Sequence, residues 1–518
     1  MKRKSEDHLF SAPATPKKAK LILKDHFTSL STLEFLTAEI GSSPSLASVI
    51  PPLIFGHSQF GETFFEEKHG KEVKLAVLNL LKSCFSISDV NIESCMHEAH
   101  IPLLLGAYGA KLTKIDQTLF EILRIYEKRG DIDLSKYYPL IWGKVGLEKY
   151  ATLKTMGPSL WNRPTANEIL ECLDPKTMKW ATNHLPLEIT HNKEFFGKKL
   201  ENCFDPRFLL PLFVSLLGPD SVMDIRHFSI DRSCLGYTIA CLSLHDPVLR
   251  GAAYTVLYRL REHLRSPASS KKNFREKPQI VYILNLLRQS ITKPIARLPS
   301  LSTTFLSRAV QLTAMPWDSL YSTIHAYLLL KPRLDFGDVP EFYKLFQSAD
   351  SQDRFWILKL LADSMRENVD YHICERRDVF RQLLAFHDWV SFNSGVESAS
   401  KEQVLRILEA ICRIESVAPD FSYRYNLIAW LAGAFWSVDN EEEAERFAVI
   451  FRLVYENVVR KEGIPEYVGA LWYAAARGLI TKRKELVFRE GRSRPEKKEE
   501  WDKLSEYIEI VGMKLANK

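Results

Sequence analysis

Apolar residues in this chain recur at helical spacing over most of its length, and strand-like alternation is scarce. Val73, Val77, Leu80, Leu81 and Cys84 share one helical face. Ile280, Ile283, Leu284 and Leu287 repeat at i, i+3, i+4 and i+7. So do Leu358, Leu361, Ala362 and Met365, and again Val404, Ile407, Leu408 and Ile411. A 3.6-residue period puts each set on one stripe that must be buried against another helix. No Asn-Gly or Asp-Gly hairpin signal interrupts the pattern. The chain therefore reads as all-α. At 518 residues it is too long for one compact core, which leaves three or four domains or one long repeat array.

Three Asp-Pro pairs, Asp174-Pro175, Asp205-Pro206 and Asp246-Pro247, each precede an apolar run. Asp at an N-cap accepts bonds from free helix N–H groups, and Pro at the first helical position has no hydrogen bond to lose. They mark helix starts. The run from Asp246 through Arg250 and Ala253 to Tyr254 resembles the inner helix of a HEAT or armadillo-type repeat. The pairs lie 31 and 41 residues apart, against repeat lengths of about 40–47 in those families. The expectation is a degenerate HEAT/armadillo-like helical repeat, an α-solenoid, with a non-repeating helical bundle as the alternative.

Composition shifts divide the chain further. Residues 1–25 read as a disordered basic tail, 26–200 as a helical region and 201–390 as a helical-repeat region. Residues 401–480 read as a C-terminal helical layer and 481–518 as a charged segment, in which Trp501, Leu504, Ile508 and Val511 still allow one amphipathic helix. Gly41–Gly56, Ser266–Asn273 and residues 391–400 read as loops.

The net charge of +6 is uneven. Residues 1–24 carry +5 and residues 482–503 carry +3, leaving −2 for the remainder. A body that wrapped nucleic acid along its length would be clearly basic, because counterion release drives such binding. Any RNA contact is therefore local, and no RNA-binding residue is assigned. Lys2, Arg3 and Lys4, followed by Lys17, Lys18 and Lys20, form two basic clusters that read as a bipartite nuclear import signal.

No motif assembles a reaction centre. Cys95, His97, Glu98 and His100 suggest a metal, but the two histidines are three apart, where one helix face needs four. Polar residues at a helix start are the simpler reading. Gly106 to Lys111 has the wrong spacing for a phosphate loop, and its glycines read as points of close helix packing or as a helix end. Phe204, Phe208 and Phe213 read as core rather than as a stacking platform for bases. Lys271, Lys272, Arg275 and Lys277 read as a solvated basic loop. The eight cysteines form no C-x-x-C pair, and most sit in apolar runs, as in a reducing compartment. The best membrane candidate, Leu427 to Trp436, is far short of the ~20 residues a span needs. No enzyme signature, cofactor, metal, membrane contact or small-molecule substrate is expected.

Several runs, in order, resemble one family. They are His100–Ala110 with Asp116 and Tyr126-Glu127, then Leu140–Gly143, Ser159–Pro164 and, most strongly, Phe204–Phe213. Leu242–Pro247 with Arg250 and Ala253-Tyr254, Val339–Phe346, and Trp356–Leu358 follow. Together the chain resembles the C-terminal region of the nucleolar pre-ribosomal-associated protein 1 family over about residues 95–435. Full-length members are several times longer. The resemblance implies a helical scaffold of the nucleus and nucleolus that acts in assembly of the large (60S) ribosomal subunit. It implies partners among pre-60S assembly factors, an RNA helicase included, with pre-rRNA and snoRNPs. The near-neutral body keeps a second reading open: an armadillo-like adaptor of another nuclear or transport complex.

Overall fold

The computed structural model describes residues 15–41, 44–65, 68–87, 90–134, 142–143, 165–189, 202–219, 221–266, 274–392, 397–461, 465–489 and 499–516. Among them the regular structure is helical, with one isolated bridge between Lys111 and Phe204. The chain divides into two compact units, Met1–Cys241 with Asp246–Arg275, and Leu242–His245 with Glu276–Lys518.

The principal helices of the first unit are α1 (Pro16–His26), α2 (Leu30–Ile40), α3 (Lys71–Ser86), α4 (His100–Ala107) and α5 (Lys114–Arg129). They continue with α6 (Pro175–His184), α7 (Pro206–Leu216), α8 (Cys234–Ala240) and α9 (Pro247–Arg265). In sequence, α2, α3 and α5 each pack on the next, and α7 packs on α9. The starts of α2, α3 and α5 are 41 and 43 residues apart, and those of α7 and α9 are 41 apart. Polar ties follow the same interval. Arg129 Nη1 donates to Phe85 O at 2.7 Å, 44 residues away, and Arg259 donates to Val214 O, 45 residues away.

The second unit carries α10 (Lys277–Ser290), α11 (Ser300–Leu312), α12 (Ser319–Leu330), α13 (Ser351–Ser364), α14 (Asn368–Arg376) and α15 (Val379–Phe392). Beyond these lie α16 (Ser398–Arg413), α17 (Leu427–Ala434), α18 (Glu441–Val454), α19 (Glu466–Arg489) and α20 (Glu499–Ala516). One row runs α11, α13, α16, α18, α20, each packed on the next. Their starts are 51, 47, 43 and 58 residues apart. Each unit is thus an irregular helical repeat, in which a segment touches the segments one repeat away.

The sequence patterns land where their physics requires. All four periodic sets fall on helices apart from Met365, which caps the end of α13; Ala362 alone is half-buried and the rest are in the core. All three Asp-Pro pairs cap helices: Asp174 accepts from Thr177 N at 2.8 Å, Asp205 from Arg207 N at 2.9 Å and Asp246 from Val248 N at 2.8 Å. Trp501, Leu504, Ile508 and Val511 form the buried stripe of α20.

Three expectations are corrected. The disordered tail expected through residue 25 is helical from Pro16. Thr15 caps the helix, Pro16 supplies its first φ angle, and Ala19, Ile22 and Leu23 are buried. The loop expected over 41–56 contains a short helix, Ile50–Phe55, because Pro51 and Pro52 sit in its first turn, where a missing N–H costs nothing. The charged segment expected from 481 begins inside α19, where Lys482 and Arg483 are buried: Arg483 pairs with Glu441 at 3.1 Å and covers the Trp501 ring.

Candidate functional site

Of the six basic residues that the sequence reads as an import signal, Lys2, Arg3 and Lys4 lie outside the described residues. Lys17 and Lys20 are exposed on α1, and Lys18 is half-buried with its ammonium 5.7 Å from the centre of the Phe35 ring. The second cluster is therefore carried on a helix that packs on α2 and on the short helix Ile50–Phe55.

The motifs singled out between residues 95 and 116 are used structurally. Cys95 Sγ donates to Ser48 O at 3.2 Å. His100 points elsewhere, with Nδ1 2.9 Å from Tyr126 Oη and its ring stacked 3.9 Å from Phe55. Burial lowers the His100 pKa to about 4. In Gly106–Lys111, the amides of Gly109 and Lys111 donate to Asp116 Oδ1 and Oδ2 at 2.9 and 3.1 Å. Asp116 thus occupies the donors that a phosphate would need. A Cβ on Gly109 would meet Asp116 Oδ2 at 3.1 Å, which accounts for the glycine.

The same loop is tied to the run Phe204–Phe213. Asp205 N donates to Ala110 O at 2.7 Å and Leu112 N to Cys203 O at 2.8 Å. Asp205 is fully buried, caps α7 and holds Arg207 at 2.6 Å. The Arg207 guanidinium lies 4.7 Å from the centre of the Phe120 ring. Tyr237 Oη donates to Phe204 O at 2.9 Å. These contacts make the two runs a joint between segments about a hundred positions apart.

The second unit holds what sequence reasoning missed. Asp363 accepts from Arg308 Nη2 at 2.6 Å and from Arg406 Nη2 at 2.8 Å, joining α11, α13 and α16. Further joints repeat the device: Arg354 with Glu397, Lys401 with Glu443 at 2.6 Å, Arg446 with Glu402 at 2.5 Å and Arg452 with Glu500 at 2.5 Å. Nothing in one sequence pairs an acid with a base some 43 residues on.

Beside this spine lies a groove of about 350 Å³ lined by Tyr327, Leu330, Lys331, Asp338, Tyr343 and Arg377, among others. It is built from the run Val339–Phe346. Glu341 takes a left-handed φ of 56° to start the short helix Phe342–Phe346. The groove's charges are largely matched: Arg377 Nε lies 2.9 Å from Asp338 Oδ1 and Lys344 Nζ 3.4 Å from Glu341 Oε2. Tyr343 Oη donates to Arg377 O. Burial, reinforced by Asp338 and Glu341, pushes the Tyr327 hydroxyl up to about 12. Leu330 is 80% exposed and Tyr343 42% exposed. With Arg377 and Lys344 held by carboxylates and Lys331 over the Tyr327 ring, the groove offers apolar area and hydrogen-bonding edges, which suits recognition of another macromolecule.

The family model described as nucleolar pre-ribosomal-associated protein 1 matches residues 235–430, which take in the groove and the Arg308–Asp363–Arg406 node. Nucleolar pre-ribosomal-associated protein 1 of Mus musculus is 32% identical over 404 residues, covering 74% of this chain. The Homo sapiens protein of that name is 31% identical over 401 residues, again 74% of this chain. The chain spans 17% of the length of each of these relatives. No solved structure matches. Over the matched region, with its order of runs and the joints they build, the chain belongs to the nucleolar pre-ribosomal-associated protein 1 family.

Proposed function

We propose that this chain is a non-enzymatic helical scaffold of the nucleolus, acting in assembly of the large (60S) ribosomal subunit and in pre-rRNA processing. Kinship carries the reading: relatives 31–32% identical over 74% of the chain bear a nucleolar, pre-ribosomal name. The architecture supports it, because stacked helices offer a long surface to partners. Those partners are pre-60S assembly factors, an RNA helicase among them, with pre-rRNA and snoRNPs. The groove between α12 and Arg377 favours protein over RNA as its own occupant, because two of its three basic side chains, Arg377 and Lys344, already hold carboxylates and the third, Lys331, lies over the Tyr327 ring.

The test is a pull-down of the tagged chain with and without RNase, with the recovered proteins and RNA identified. Large-subunit precursors and assembly factors are the expected yield, and RNase sensitivity tells whether RNA or protein holds the chain there. The near-neutral body, −2 outside the two basic stretches, favours the adaptor of another nuclear or transport complex as a second reading. Recovery of transport receptors without pre-ribosomal material would put that reading first.

A further inference from the structure

We propose that Thr15 is a phosphorylation site for a proline-directed protein kinase, and that phosphate there weakens the basic cluster beside it as an import signal. The second half rests on the import reading of Lys17, Lys18 and Lys20. The chain contains three Ser/Thr-Pro pairs: Thr15-Pro16, Ser43-Pro44 and Ser266-Pro267. Only at Thr15 is the proline followed by basic residues, in Thr15-Pro16-Lys17-Lys18. Proline-directed kinases require the proline and favour a basic residue two positions beyond it, which here is Lys18.

The geometry leaves the hydroxyl available. Thr15 is exposed with an extended backbone, φ −96° and ψ 158°, as a kinase cleft requires. Thr15, Pro16 and Lys17 are all exposed, and the first buried residue of α1 is Ala19. Docking a kinase therefore has to open only the first helical turn, the least stable part of a helix. The bond to the hydroxyl itself, from Lys18 N to Thr15 Oγ1, is a long 3.4 Å, and the opened turn also gives up the backbone bond from Ala19 N to Thr15 O at 2.8 Å. In the reaction, Thr15 Oγ1 forms a bond to the γ-phosphorus of ATP as the bond to the bridging oxygen of ADP breaks. The hydroxyl proton passes to the kinase's base.

The product fits the fold and changes the surface charge. A phosphothreonine carries about −2 at neutral pH, and at the start of a helix it is stabilised by the N–H groups and the dipole. Lys17, Lys18, Lys20 and Lys24 supply four positive charges within the following three turns. One phosphate halves that charge and strengthens the helix that holds it. A receptor that reads lysines through an acidic groove meets a repelling group at the edge of its target.

The experiment uses the full chain, a purified proline-directed kinase and ATP, with sites mapped by mass spectrometry. Thr15 is expected to carry phosphate in the wild type. Thr15→Asn keeps a capping oxygen but no hydroxyl, so it should remain folded and unmodified there. Phosphate on Ser43 or Ser266 with Thr15 untouched would overturn the assignment. Binding to purified importin-α is then compared before and after kinase treatment. The wild type should lose affinity by about tenfold and Thr15→Asn should lose none. Equal affinity of the phosphorylated and unmodified chains overturns the regulatory half. If the chain with Lys17, Lys18 and Lys20 replaced by Ala binds importin-α like the wild type, the import reading has failed and the regulatory half falls with it. The phosphate map still judges Thr15 on its own.

Discussion

Asp363→Ala is the sharpest single test of the second unit. The Asp363 side chain is 2% exposed and takes two guanidinium donors, Arg308 at 2.6 Å and Arg406 at 2.8 Å. Deleting the carboxylate leaves two positive charges facing a void, but they do not suffer equally. Arg308 is 9% exposed, and its remaining contacts are a 3.5 Å bond to Lys359 O and the Trp356 ring at 5.8 Å. Burial already lowers its pKa even with Asp363 in place. Arg406 is 23% exposed and keeps Gln403 Oε1 at 2.7 Å. Stranding a buried charge costs roughly 3–5 kcal/mol, and nearly all of it should come from Arg308.

Urea denaturation followed by far-UV circular dichroism measures this. With a slope of about 3 kcal/mol per molar for a unit of this size, the affected transition should move down by about 1–1.7 M. Two compact units mean that one free energy does not describe the whole chain, so the shift is read on the transition that moves. Arg406→Ala should cost far less, since Asp363 retains Arg308. The triple change Arg308→Met, Asp363→Leu, Arg406→Leu should restore most of the midpoint, because no charge is left unpaired. An Asp363→Ala midpoint within about 0.3 M of the wild type would refute the argument. So would an Arg406→Ala midpoint as low as that of Asp363→Ala.

Other outcomes follow from the same structure. Burial raises the pKa of Asp370 to about 7. Its stabilising contribution is therefore full below the ordinary carboxylate pKa and lost as pH rises to about 7. Asp370→Asn should flatten the fall in thermal midpoint over that window. His100 has the opposite sign: its folded pKa of about 4 lies below the usual value, so its contribution holds above about 6.5 and is lost on acidification to pH 4. His100→Gln should remove that acid-side loss in a pH series of melts. Ala253→Asp buries a carboxylate in α9, where Ala253 is fully buried, and should cost about 3 kcal/mol or more in melting experiments. Replacing Lys2, Arg3, Lys4, Lys17, Lys18 and Lys20 by Ala should reduce nuclear accumulation of a tagged chain. Helical circular dichroism should hold, since Ala suits the α1 positions well.

What the sequence made legible was whatever depends on neighbours in the chain. The periodic sets and the Asp-Pro caps act within one helix, and their spacing declares them. α11 shows the limit. Its run Ser300–Leu312 is rich in Ser and Thr, yet Ser300 through Val310 are all buried. Two of the hydroxyls bond back to their own helix, Thr303 to Ser300 O at 3.1 Å and Ser307 to Thr303 O at 2.8 Å, so their polarity does not require water. Lys482 and Arg483 misled for a related reason. They read as the start of a charged segment because Glu441, the partner of Arg483, lies 42 residues earlier. The groove at Tyr343 was hidden in the same way, its walls coming from stretches that meet only after folding.

The recurring ion pairs suggest why the joints carry charge at all. An interface of Leu and Ile between two helices has several packings of similar energy, related by a slide of one turn, about 5.4 Å. A carboxylate that must meet two guanidiniums at fixed depth permits one of them. In the second unit, Asp363, Glu443 and Glu500 place such a constraint at successive joints of one row. Each pair adds little over an apolar substitute, yet each is costly to break. In a linear array an error of register at one joint displaces every surface beyond it, because repeats touch only their neighbours. On the scaffold reading proposed above, register matters more than additional stability. The triple apolar variant separates the two: it should keep its urea midpoint while its amide exchange becomes faster at the α13–α16 joint, where the packing is no longer unique.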